Sequence, residues 1–164
     1  MKNIWVTSDT HFNHSNIIKY CDRPFSSSLE MDEALIENWN SVVKTGDKVY
    51  HLGDVYIKAK KGYIESILKR LNGNKRLILG NHDNGKDQIL QRYFEKILMW
   101  RDFKDFGFLL THIPIHESSV IKDRVNVHGH IHQRQSPEGR YINVCVEKTN
   151  YTPIHIEEIR KINE

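Results

Sequence analysis

Five apolar runs in this chain end in Asp, Asn or His, and those endings are where chemistry could be done. Ile4 to Ser8 leads to Asp9-Thr10-His11, and Lys48 to Leu52 leads to Gly53-Asp54. Leu77-Ile78-Leu79 leads to Gly80-Asn81-His82-Asp83-Asn84, Phe106 to Thr111 leads to His112, and Val125-Asn126-Val127 leads to His128-Gly129-His130-Ile131-His132. Asn and Asp after a strand ordinarily make a turn, because their short side chains bond their own backbone. Recurrence of the pattern is what a turn does not explain. Residues two apart in extended backbone face the same way, so Asp9 and His11 point together. Alternation would likewise put His128, His130 and His132 on one face, unless Gly129 bends the chain. Carboxylates and imidazoles that converge grip a hard or borderline cation. Of Asp9, His11, Asp54, Asn81, His82, His112, His130 and His132, seven can act as ligands. That is more than one tetrahedral ion accepts, so two ions sharing a carboxylate is the natural arrangement. Two divalent ions less two aspartates leave a positive site suited to a phosphate anion. His14 either joins this group or rims it.

The elements that must position these residues alternate. Ile4 to Ser8 reads as a buried strand, and Ile17 to Ser28 as a loop or short helix broken at Pro24. A helix follows, with Ser27 and Glu30 as a capping box and Met31, Leu35, Trp39 and Val42 on one face. Tyr63, Ile64, Ile67, Leu68 and Leu71 mark a second helix, stopped by Asn72-Gly73, and Ile89, Leu90, Tyr93 and Phe94 mark a third. Met99 to Phe103 and Phe106 to Thr111 read as two strands around a turn, and Tyr141 to Val146 as one more. Ile154 to Ile162 closes as a short helix, with His155 on the surface. Strands alternating with helices predict an α/β layered fold with parallel pairing in the first half, and ligands bind at the carboxyl ends of such strands.

Composition narrows the partners. A chain of 164 residues suits a single domain spanning 1–164. With 38% hydrophobic and 27% charged residues it reads as globular, and it holds no apolar stretch of the length a membrane helix requires. The N-terminal residues run straight into a strand without a signal peptide, so a cytoplasmic location is the expectation. Cys21 and Cys145 stand too far apart for a zinc knuckle, and idle or buried thiols are expected. A net charge of +3 and a pI near 8.8 favour anionic ligands but fall short of a dedicated nucleic-acid binder.

Asp9-x-His11, Gly53-Asp54, Gly80-Asn81-His82-Asp83, His112 and Gly129-His130-x-His132 resemble, in order and type, the motif series of calcineurin-like metallophosphoesterases. The resemblance covers residues 4 to 132 and departs from the common pattern at Thr111, where many members carry glycine. It implies a four-layer αββα sandwich, with two facing mixed β-sheets flanked by helices and a dinuclear metal centre at strand ends. Carried over position by position, Asp9, His11 and His132 would hold one ion and Asn81, His112 and His130 the other, with Asp54 bridging. His82 would contact the phosphate and act as general acid, and Asp83 could orient His82. The ions, any of Mn, Fe, Zn, Ni or Co, would supply a hydroxide nucleophile at neutral pH that attacks phosphorus in line. His128 matches a frequent family feature without an assigned role.

The substrate expected is a phosphorylated small molecule or nucleotide, cleaved as a monoester or a diester. A nucleic-acid end is the rival, and no membrane partner is expected. Arg23, Lys60, Lys61, Arg124 and Arg134 are candidate anion contacts, with Arg23 and His14 taken as possible substrate-binding residues. The Lys58-Ala59-Lys60-Lys61 run is either a solvated face or a phosphate guide. A non-catalytic phosphate-binding module would have lost one of Asp54, Asn81 or His82, and none is replaced. A structural metal protein would hold one closed site, usually with thiolates. The sequence pattern places no thiolate in the cluster and leaves the oligomeric state open.

Overall fold

The computed structural model describes residues 3–162. Short runs form β1 (Ile4–Thr7) and β2 (Lys48–His51), both with β-branched and aromatic residues, and β3 (Asn74–Ile78) and β4 (Lys96–Leu98), and the four pair in parallel in the order β4-β3-β2-β1. Parallel neighbours need crossovers. These are α1 (Ser15–Tyr20) and α2 (Ser28–Val42) after β1, α3 (Lys61–Arg70) after β2, and α4 (Gln88–Tyr93) after β3. A second sheet holds β5 (Arg101–Phe103), β6 (Phe108–Leu110), β7 (Val125–His128) and β8 (Tyr141–Asn143) in that order, with only the β5/β6 pair antiparallel. β9 (Ile154–His155) returns antiparallel to β1, and α5 (Ile156–Ile162) follows it.

The period of two along each strand divides the apolar residues between two cores. Val49 of β2 and Leu77 of β3 face the helices, against Met31, Leu35 and Trp39 of α2 and Ile64, Ile67 and Leu68 of α3. Their neighbours Tyr50 and Ile78 face the second sheet, where Phe108, Leu110, Val127 and Ile142 meet them, and Ile156 and Ile159 of α5 join that core. Two facing mixed sheets flanked by helices are thus the α/β sandwich expected. On the outer face of the second sheet loops do most of the covering. Asn126 there accepts from Ile115 N at 3.0 Å, and His128 meets Ser136 Oγ at 2.9 Å.

The Ser27 cap of α2 is present, its hydroxyl accepting from Glu30 N at 3.1 Å, a bond that stabilises a helix by about 1 kcal/mol. The reciprocal bond falls one residue early, because Glu30 accepts from Ser26 N instead of Ser27 N. Three local expectations need correction. The strand expected over Met99 to Phe103 forms only at Arg101–Phe103, and the unexpected β4, three residues long at the sheet edge, carries no sequence alternation strong enough to read. The strand expected through Val146 stops at Asn143, whose side chain accepts from Cys145 N and turns the chain into a 3₁₀ turn at Val146–Lys148. His155 is not a free surface residue: it sits in β9, half-buried, with its ring edge-on to Trp5 at 5.0 Å. No helix among the described residues is long and apolar enough to cross a membrane.

Candidate metal centre

The parallel strands β1, β2 and β3 all end at one edge of the first sheet, and β6 and β7 end beside them. Five of the seven expected ligands adopt left-handed backbone there: Asp9 (φ 58°), His11 (50°), Asp54 (57°), His130 (69°) and His132 (52°). Such conformations cost roughly 1–3 kcal/mol each and persist where the surroundings over-determine them. Two glycines make the crowding possible. A Cβ on Gly80 would fall 2.2 Å from Asp54 Oδ1, and one on Gly129 would fall 2.3 Å from Asp9 Oδ2. The value of Gly80 is therefore close approach, since its φ is not left-handed.

Both aspartates are divided between protein and cavity. Asp9 Oδ2 accepts from His130 N at 2.8 Å, Ser8 Oγ at 2.5 Å and Cys145 Sγ at 3.3 Å, while its Oδ1 is buried without a partner. That free oxygen lies 3.8 Å from His11 Nε2 and 3.8 Å from His132 Nε2. Asp54 Oδ1 accepts from His82 N at 2.9 Å, and its Oδ2 lies 3.6 Å from His11 Nε2 and 3.5 Å from His112 Nε2. One carboxylate oxygen thus stands between two histidines. Among the described residues, four possible donor sets lie within 4.8 Å: Asp9, His11 and Asp54; Asp54, His112 and His130; and, around His132, Asp9 with Cys145 and Cys21 with Glu147.

These residues fit divalent ions by the chemistry of their unpaired atoms. Both ring nitrogens of His11 are buried without partners. His112 Nδ1 donates to Leu52 O at 2.7 Å, which leaves Nε2 without a proton. Nε2 and Asn81 Oδ1 are then two acceptors 2.8 Å apart, which a cation satisfies. A buried polar atom left unpaired costs about 1–3 kcal/mol, so a cluster of them implies a group that fills the space. Burial would raise the Asp9 carboxyl, but His11, His112 and His132 hold it well below the usual carboxylate range. Burial would lower His132, yet the Cys21 thiol and the Glu147 and Asp9 carboxylates raise it to about 10.

Several expected roles change. Asp83 does not orient His82. Its carboxylate accepts from Asp54 N at 2.8 Å, Val55 N at 3.0 Å and Gly80 N at 2.9 Å, tying two strand ends together. Arg23 is not an anion contact, because it is buried and spent on Glu147 and on the carbonyls of Asp9 and Thr10. Arg124 is likewise held, by Asp102 at 2.8 Å. His128 does not share a face with His130 and His132. β7 ends at His128, the chain bends at Gly129, and the His128 ring is buried between Gly129 O and Ser136. The exposed His82 and half-buried His14 flank His11 at ring distances of 5.8 and 5.4 Å, and both line a 670 Å³ cavity with Lys58 and Arg134.

Other contributors carry no motif. Glu147 receives His132 Nδ1–H at 3.0 Å, and both cysteines, expected to be idle, lie against the cluster: Cys145 on Asp9, and Cys21 close to His132 and Glu147. Cys145 stays a thiol, its pKa pushed up by burial and by the Asp9 and Glu147 charges. His51 is fully buried, accepts from Gly53 N at 3.2 Å and meets Thr10 Oγ1 at 2.9 Å, so it braces both the β1 and β2 ends. The single histidine in the β2 run, His51, was the one signal for it in the sequence.

A strand-end cluster of this kind on two facing sheets defines a metal-binding α/β sandwich, and comparison with known proteins states its class. The calcineurin-like phosphoesterase superfamily domain matches residues 1–146. An uncharacterized protein of Methanocaldococcus jannaschii is 40% identical over 174 residues, covering 100% of this chain and 93% of that protein. The gene 66 protein of Mycobacterium phage D29 is 29% identical over 162 residues, covering 98% of this chain and 70% of its own. The crystal structure of a protein of unknown function from Aquifex aeolicus superposes with a TM-score of 0.77 at 30% identity, covering 99% of this chain and all of that one. The chain belongs to the calcineurin-like phosphoesterase superfamily, a class of metal-dependent phosphoester hydrolases.

Proposed function

We propose that the chain hydrolyses small phosphate esters or nucleotides at a centre of two divalent ions. Asp9, His11 and His132 would hold one ion, Asn81, His112 and His130 the other, with Asp54 shared. The observation that carries this reading is the division of both aspartates, each with one oxygen bound by protein donors and the other left facing histidines. Ions held there, of manganese, iron, zinc, nickel or cobalt, supply a water acidic enough to be deprotonated near neutral pH and positive charge against phosphoryl oxygens.

The remaining work falls to the chain. His82 has its backbone pinned to Asp54 and its ring in the open cavity, so it can give a proton to the departing oxygen. Asn81 is a neutral ligand that keeps the site positive. Asp83 holds the Gly80 and Asp54 turns in register, and Glu147 fixes the His132 ring so that Nε2 faces Asp9.

Metal quantitation beside hydrolysis of 4-nitrophenyl phosphate and bis(4-nitrophenyl) phosphate tests the reading. Asp54→Ala should lose ions and activity together. His82→Ala should keep both ions and lose about 10²–10⁴-fold in kcat, most with poor leaving groups. Inactivity on both esters with every one of the five metals refutes the proposal, and loss of an ion from His82→Ala refutes the division between ligand and acid.

A further inference from the structure

Seven large apolar side chains are strongly exposed among the described residues, and four of them, Met99, Trp100, Ile113 and Ile121, gather around one groove. Trp100 is 57% and Met99 70% exposed, at the connection between β4 and β5 where a turn would ordinarily carry polar residues. A clustered apolar patch of this kind on a soluble surface marks a binding site. The groove has a volume of about 510 Å³, and its lining holds no Asp, Glu, Lys or Arg. Its lining includes Asn81 and His112, two of the residues assigned to the ions. The 670 Å³ cavity meets the centre at different ligands, His11 and His132, and is also lined by His82, Lys58 and Arg134. The two spaces share no lining residue.

Phosphorus seated at the centre can therefore send one substituent into a cationic space holding the proton donor and another into an apolar space without one. A leaving group needs the proton and belongs on the His82 side. We propose that the Trp100 groove receives the retained organic arm of a phosphodiester, an uncharged aromatic or aliphatic group. A monoester has no such arm and leaves the groove empty. The proposal rests on the phosphoesterase reading above and deepens it to a substrate class.

Two diesters with the same leaving group and different retained arms isolate the groove: bis(4-nitrophenyl) phosphate retains an aryl group, and methyl 4-nitrophenyl phosphate retains a methyl. Their intrinsic difference in reactivity cancels when a variant is compared with the wild type. Trp100→Ala should lower the aryl-to-methyl ratio of kcat/KM about tenfold, the scale of a lost apolar contact. Ile113→Ser should lower it in the same direction, and Leu29→Ala, an exposed apolar residue on α2, should not change it. Binding of diphenyl phosphate to the metal-loaded protein should perturb tryptophan fluorescence in the wild type and not in Trp100→Phe. A ratio unchanged in both groove variants overturns the proposal alone. So does light scattering that finds a dimer at assay concentration which Trp100→Ala dissociates, since a second copy would then fill the groove. Failure of the wild type to cleave either diester while it cleaves 4-nitrophenyl phosphate also overturns the proposal alone. Failure on all three esters overturns the phosphoesterase reading with it.

Discussion

Replacing Glu147 by Gln keeps the shape of the side chain and removes its charge. Glu147 Oε1 accepts Arg23 Nε at 2.9 Å, Arg23 Nη2 at 2.7 Å and His132 Nδ1 at 3.0 Å, and Oε2 is buried without a partner. Two effects follow. His132 loses the anion that fixes its ring and tautomer, and loss of such an outer partner costs a metal site about 10–100-fold in affinity, or roughly 1.4–2.7 kcal/mol. Arg23, whose side chain is fully buried, loses its counter-charge, and breaking a buried pair from one side costs about 3–5 kcal/mol. Gln still offers one acceptor oxygen, so the lower end of that range is expected. Because Arg23 also holds the carbonyls of Asp9 and Thr10, the damage is confined to the Asp9, His11 and His132 side. Chelator competition resolved into two sites should show one ion weakened about 10–100-fold and the other within about twofold, and urea unfolding of the metal-free protein should show the stability loss. Two unchanged affinities, or equal weakening of both, would refute the reasoning.

Asp83→Ala leaves three backbone N–H groups without their acceptor, so urea unfolding should show a loss of at least about 3 kcal/mol, and ion content should fall with activity. Ions retained with only turnover impaired would restore Asp83 to the role of orienting His82. Asp32, buried beneath the Asn13 backbone, is pushed up to about 6 by burial, although Asn13 N and Tyr63 Oη–H both donate to it. Its folded pKa exceeds its unfolded value, so between about pH 4 and 6 it makes stability fall as pH rises. His51 is lowered to about 3 by burial, and over the same window it makes stability rise with pH. The two slopes oppose, and Asp32→Asn should steepen the rise in unfolding free energy by about 1 kcal/mol per pH unit between pH 4 and 6, read by urea titrations at each pH.

The ligand candidates were legible because they combine two local signals, an apolar run and a metal-binding side chain at its end. Asp9, His11, Asp54, Asn81, His112, His130 and His132 all carry that pair of signals, and the structure brings all of them to one edge. His128 carries it too and fails, because facing two residues apart holds only while backbone stays extended, and the strand stops at His128. Asp83 was seen and its work was not. A carboxylate that accepts three backbone N–H groups, two of them from a segment 28 and 29 residues earlier, leaves no trace in local spacing.

The sequence by itself determined most of the element order, the parallel pairing of the strands in the first half, the capped α2 and the set of side chains at strand ends, because each depends on residues within a few positions of one another. Tertiary structure decided the rest. The Glu147–His132 and Arg23–Glu147 contacts join residues 15 and 124 positions apart, and Cys145 reaches Asp9 across 136. The Trp100 groove arises only where the β4–β5 connection lies beside the segment after β6. Local order follows from propensity and periodicity, whereas burial, charge pairing and the walls of a cavity depend on which distant segments meet.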